Sequence, residues 1–232
     1  IKRRPANCLQ KNGLIQKEDC DQQPLDWGNQ DSLMVCLKLM VERRGVGETL
    51  SSGSRAAAKH FQNQSDMYAT HVKGLELAYH DPRATFSMAA NYATANRGGC
   101  HLEGLSYWAI YGLDASSWSP KKVDRFSNED AAREAVAFQN YFSTYNPLGI
   151  CKFIGKSSPS PQVLCDLINA ASGWNITDEE LLETGERIFN LKRIINNRLG
   201  ISRKDDDLPV RLKTFARPTG GSKGKLPNME II

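Results

Sequence analysis

No apolar run approaches the roughly 18 to 20 residues that cross a bilayer, so no membrane-spanning helix is expected. A secretory leader is missing as well. Ile1-Lys2-Arg3-Arg4-Pro5 has the charge of one, but no apolar segment follows. Strong charge of one sign is lacking too: 30 Lys and Arg are interspersed with 26 Asp and Glu, for a net charge of +4, and without a basic tract no nucleic-acid surface is expected. Cysteine is sparse. The six (Cys8, Cys20, Cys36, Cys100, Cys151 and Cys165) lack CxxC spacing, which excludes a locally encoded zinc or iron-sulfur site and a disulfide scaffold. A reducing, cytoplasmic setting is the expectation. Ser-His-Asp order, HExxH and GxSxG are all absent. Gly220 to Lys225 is part of a phosphate loop without its full spacing or a preceding strand, and reads as a flexible connector.

What is present reads as mainly α. A short helix is expected over Ala6 to Lys11, closed at Gly13, before a polar connector carrying Trp27-Gly28. From Asp31, apolar residues recur every three or four positions and predict an amphipathic helix of about four turns that stops at Gly45. A second helix is expected from Leu50 to His60, capped by Ser51 or Ser52, and Tyr68 to Val72 reads as a short strand ending at Lys73-Gly74. Pro82 is placed to open a helix, with Ala84 to Ala95 as its small-residue body. The aromatic, glycine-punctuated stretch Leu102 to Ser117 fits no single element. Further helices are predicted from a cap at Asn128 to Tyr145, with Ala131, Ala135, Phe138 and Phe142 buried, and from Pro161 to Ala171, with Val163, Leu164, Leu167 and Ile168 inward. On the latter, Cys165 reads as core packing. Thr177-Asp178-Glu179-Glu180 is a capping box that opens the longest helix, running to Gly200. Asp205-Asp206-Asp207, beside Arg203 and Lys204, reads as a solvated turn.

Two stretches carry chemistry. YATANRGGCH (Tyr92 to His101) joins Gly98-Gly99, which let the backbone approach a bound group, to Arg97, a planar fork for phosphate or carboxylate. Cys100 and His101 are adjacent and point in different directions, so they are not expected to ligate one metal together. Taken locally, the segment reads rather as a turn with a buried Cys and a hydrogen-bonded His. In the second stretch, Asn146-Pro147-Leu148-Gly149-Ile150-Cys151, a thiol follows a Pro and Gly turn, and Lys152 supplies a positive charge that would favour the thiolate. A buried structural Cys151 is the alternative.

Together, HVKGLELAYHDPR (71 to 83), YATANRGGCHL (92 to 102), LGICKF (148 to 153) and GERIFNLKRIINNRLGISRKDDDLPVRL (185 to 212) resemble, in order and spacing, the C-terminal half of the tungsten-dependent aldehyde ferredoxin oxidoreductases. The resemblance implies a helical pair of C-terminal subdomains, approximately 1–95 and 96–232, with an N-terminal β domain outside this chain. It implies a tungsten or molybdenum bis-pterin, a 4Fe-4S cluster, and oxidation of aldehydes to carboxylic acids with electrons passed to ferredoxin. Cys151 takes the place of a cluster ligand. Asn146, Gly149, Ile150 and Cys151 take the place of a pterin-binding Asp-x-x-Gly-Leu-Cys motif, with Asn146 replacing its Asp. His101 takes the place of a proton-carrying imidazole near the metal.

The family's CxxCxxxC motif, its first pterin motif and a glutamate near the metal have no counterpart here. The first residue is not Met, and Met229 to Ile232 ends in an apolar stretch. The expectation is therefore a piece of an enzyme, inactive by itself, whose partners are the rest of the protein, ferredoxin and a possible second copy. The rival reading is a non-catalytic helical scaffold or partner-binding module that has lost the cofactor site.

Overall fold

The computed structural model describes residues 10–11, 13–26, 28–119 and 123–232. The expected helix over Ala6 to Lys11 falls largely outside them, as does Trp27. Helix α1 (Gln30–Glu42) begins where the Asn29 side chain accepts hydrogen bonds from the backbone of Asp31 and Ser32. It stops before the expected Gly45, because Arg43 adopts a left-handed conformation and its N–H bonds Leu39 O. Gly45 instead leads into α2 (Val46–Ser51). The single helix expected from Leu50 is thus two. Gly53, at φ 95°, breaks the chain before α3 (Ser54–Phe61), and the Glu76 carboxylate accepts from the Ser54 N–H at 2.9 Å. These elements enclose a small core of Ile15, Cys20, Leu25, Cys36, Leu39, Val46, Leu50 and Ala57.

Only two residues of the predicted strand are extended. Strand β1 (His71–Val72) pairs antiparallel with β2 (Leu75–Glu76), with His71 opposite Glu76 and Val72 opposite Leu75. Lys73 and Gly74, both at positive φ, make the two-residue turn. Pro82 does not open a helix. The Asp81 carboxylate binds the Arg83 backbone and guanidinium and holds this stretch as a turn, so α4 spans Phe86–Thr94.

Every residue of α4 from Phe86 to Ala93 is buried, with Ala89, Ala90 and Ala93 interleaved among the larger Phe86, Met88 and Tyr92. It packs against α5 (Asn128–Ser143), whose Ala131, Ala135, Phe138 and Phe142 are buried as the periodicity predicts. The cap is Ser127 rather than Asn128: its hydroxyl accepts from the Asp130 N–H. In α6 (Pro161–Ser172) Leu164 and Cys165 are buried, whereas Val163 and Leu167 are exposed, contrary to expectation. The buried stripe follows Pro161, Leu164, Cys165 and Ile168, and about 100° per residue turns the other two outward.

Helix α7 (Asp178–Arg198) opens with the predicted capping box and packs on α5. The approach is close: a methyl group on Gly185 would lie 2.0 Å from Asn140 O. Leu191, Ile194, Ile195 and Leu199, beyond this crossing, are exposed. Helix α8 (Val210–Thr214) completes the order. The Gly220 to Lys225 stretch is no free connector, because Gly224 N–H bonds Arg217 O, Arg125 bonds Gly221 O and Ser222 is buried. No helix among the described residues is long and apolar enough to cross a membrane.

Candidate functional site

Segment Tyr92 to His101 leaves the end of α4 and passes beneath the β1–β2 hairpin. Gly98 (φ 89°) and Gly99 are required by that crossing, since a Cβ on either would lie 2.4 Å from the carbonyl oxygen of Val72 or Leu75. The close approach seen here is to the chain's own hairpin. Lys73 holds the segment from above, donating to Ala93 O at 2.5 Å and Ala95 O at 3.2 Å. Its ammonium also pairs with Asp206 at 2.8 Å, and Arg193 grips the same carboxylate through two bonds of 2.7 and 2.6 Å. The expected solvated acidic turn is therefore wrong at its centre. Asp206 is 5% exposed because two cations are waiting for it.

Beyond Gly99 the chain turns Cys100 inward and presents His101 to a cavity of about 450 Å³. The 3-10 turns His101–Glu103 and Ser106–Tyr111, in the stretch that fitted no single element, supply one wall. His80 stacks on Tyr107 at 4.1 Å between ring centroids and lies 4.7 Å from the His101 ring. Burial pushes the His101 imidazole down to about 4, with the charge of His80 adding to the effect; burial also lowers His80. Both rings are therefore neutral near pH 7. Trp108, Phe153 and Lys156 continue the lining, and the Lys156 ammonium lies 5.8 Å from both the Trp108 and Phe153 rings.

Asn146 to Gly149 form an exposed loop after α5, Ile150 packs partly on the core, and Cys151 is exposed. Gly149 is at φ 67° with open space where a side chain would stand. Lys152 does not serve the Cys151 thiol in the way expected. It is partly buried, which lowers its pKa, and its ammonium donates to Leu102 O at 2.6 Å. That bond ties the Cys151 loop to the His101 turn. The structure thus brings the two stretches together, although Phe153 rather than Cys151 lines the cavity.

Apart from His101, the lining side chains, among them His80, Tyr107, Trp108, Phe153 and Lys156, were not singled out by the sequence alone. His80 stood in a quoted motif, yet no spacing connects it with His101 across a buried helix. Glu103 was missed too: it is buried, 3.9 Å from Lys192, and its Oε2 has no hydrogen-bond partner. A larger neighbouring cavity, about 700 Å³, shares Gly112 and Leu113 with this one. Its lining includes Glu134, whose carboxyl burial raises, but neither an imidazole nor a thiol. Among the described residues no group of three or more His, Cys, Asp or Glu is arranged to hold a metal ion.

The chain is similar to known proteins along most of its length. The chain is 33% identical over 220 residues to a tungsten-containing aldehyde ferredoxin oxidoreductase of Pyrococcus furiosus, which covers 93% of this chain and 35% of that protein. It is 31% identical over 236 residues to the WOR-like subunit of an aliphatic sulfonate oxidoreductase from the same organism, covering 97% of this chain and 33% of the relative. The chain therefore spans about a third of the length of these relatives. Its fold is similar to a chain of the active-site complex BamBC of benzoyl coenzyme A reductase, with a TM-score of 0.64 and 19% identity over 90% of this chain and 37% of that one. A family model described as aldehyde ferredoxin oxidoreductase, domains 2 & 3, matches residues 6–231, and the chain belongs to that family.

Proposed function

We propose that this chain is the C-terminal part of a tungstopterin and iron-sulfur oxidoreductase that oxidises aldehydes to carboxylic acids and passes the electrons to ferredoxin in the cytoplasm. The observation that carries this reading is the Lys152–Leu102 bond, which sets the open Cys151 loop and the His101 turn side by side. The residues present fit a share of such a cofactor site. Cys151 is exposed and offers one thiolate, Asn146 offers an amide that donates and accepts, and the open face of Gly149 lets backbone approach a flat ring system. One thiolate cannot hold a four-iron cluster, so the other ligands come from outside this chain. When bound, the metal pterin and cluster would accept the two electrons released as the aldehyde and one water become the carboxylic acid and two protons. His101 is the residue placed for proton work: its imidazole is neutral and open to a proton from the reacting centre, and burial, which lowers its basicity, keeps the protonated form short-lived. The stacked rings of His80 and Tyr107 hold His101 in place and limit water around it.

The test is anaerobic purification of the full-length protein containing this chain, followed by tungsten, molybdenum and iron analysis and electron paramagnetic resonance. The expected result is metal plus a four-iron signal that Cys151→Ala abolishes or reshapes. Absence of both metals would favour the non-catalytic scaffold, and a cluster signal indifferent to Cys151→Ala would remove that residue from the site.

A further inference from the structure

We propose that the cavity at His101 selects aromatic substrates that carry an anionic group, with the ring laid on the exposed Phe153 above the largely buried Tyr107 and Trp108 and the anion held by Lys156. Only the identity of the reacting group, an aldehyde, rests on the function proposed above. The lining is the first argument. Its side chains are two imidazoles, four aromatic rings, one leucine and one lysine, without a carboxylate. The two imidazoles are neutral near pH 7, so the formal charge of the wall is that of Lys156 alone.

The placement of Lys156 is the second. It is exposed, its ammonium is equidistant from the Trp108 and Phe153 rings, and no carboxylate among the described residues pairs with it. An ammonium at the edge of an aromatic wall binds a carboxylate while the ring attached to that carboxylate stacks on the wall below. Phe153 supports this geometry from the other side. It is a large apolar side chain more than half exposed to solvent at the cavity, so a stacked ligand ring would remove apolar surface from water at little ordering cost. At about 450 Å³ the cavity lies within the usual range for small-molecule sites and has ample room for a single substituted ring.

The experiment is calorimetric titration of the full-length protein with three alcohols that stand in for aldehydes without being oxidised by the same step: p-hydroxymethylbenzoate, benzyl alcohol and ω-hydroxyhexanoate. The aromatic acid is expected to bind about fivefold more tightly than either of the others. Lys156→Met should reduce it to the affinity of benzyl alcohol, Lys156→Arg should retain most of the difference, and Phe153→Ala should weaken both ring compounds. Equal binding of all three, or an aromatic acid insensitive to Lys156→Met, would overturn the assignment; ω-hydroxyhexanoate binding as well as the aromatic acid would overturn its aromatic half. Turnover of p-formylbenzoate and benzaldehyde separates the two readings. If neither is oxidised while the binding order holds, only the proposed reaction fails; if both are oxidised with equal alcohol affinities, only the pocket assignment fails.

Discussion

Lys73 Nζ lies 2.8 Å from Asp206 Oδ1, and both side chains are 4% exposed. Arg193 completes the group on the other carboxylate oxygen. Burial by itself would raise the Asp206 carboxyl, but the hydrogen bonds from Arg193 and Lys73 more than reverse this and hold it below the usual carboxylate range. Removing the acid would leave two cations facing each other in a dry site.

Asp206→Asn is therefore expected to cost about 3–5 kcal/mol of stability at pH 7, as the loss of one partner of a buried ion group does. Because the folded pKa lies below the unfolded value near 3.9, the contribution is complete above about pH 4 and is lost as pH falls through the folded value. Urea denaturation at pH 7 and at pH 3 checks both statements. A variant as stable as the parent at pH 7, or one with the parent's acid dependence, contradicts them.

His101 has the same sign for a different reason. Its imidazole sits near 4 in the fold, chiefly through burial, against about 6.5 when unfolded. Its contribution to stability is present above pH 6.5 and is lost as pH falls from there toward 4. His101→Gln should flatten the stability profile in that window. In NMR titration of the imidazole protons, His80→Gln should raise the His101 pKa by less than the displacement that remains, since burial outranks the charge of His80. Titration of His101 near 6.5 in the parent would show that the ring is not buried as described.

Lys152→Met removes the ammonium that bridges the Cys151 loop to the His101 turn. The expected loss is about 2 kcal/mol, typical of a charge-assisted bond to a carbonyl that becomes unpaired. Hydrogen exchange should quicken over residues 148–156 and 101–105 and stay unchanged in α3. Uniform acceleration, or none, would mean that the bond does not couple the two stretches.

Helix existence was legible wherever apolar periodicity and a capping residue agreed, as at Thr177 and Glu180 of α7. Boundaries failed where the deciding partner was distant. At α4 the partner was near, since Asp81 grips Arg83 two residues on and holds as a turn the stretch where Pro82 was expected to open a helix. The Glu76 carboxylate, by contrast, leaves no local trace at Ser54, yet it binds the start of α3. The same holds for the site. His101 and Cys151 stand in recognisable segments, whereas His80 and Lys156 become neighbours of His101 only through the packing of 3-10 turns that have no periodic signature. Asp206 shows the limit most sharply, since three consecutive acids beside two bases read as a wet turn until Lys73 and Arg193 are seen on either side.

The Lys73–Asp206–Arg193 group also sets an order in time. A ribosome releases the hairpin of Lys73 well before the carboxylate that neutralises it, so the hairpin over Gly98 and Gly99 cannot lock until α7 and the loop after it have emerged. Arg193 and Asp206, which do not line the His101 cavity, thereby govern when its wall takes its final shape.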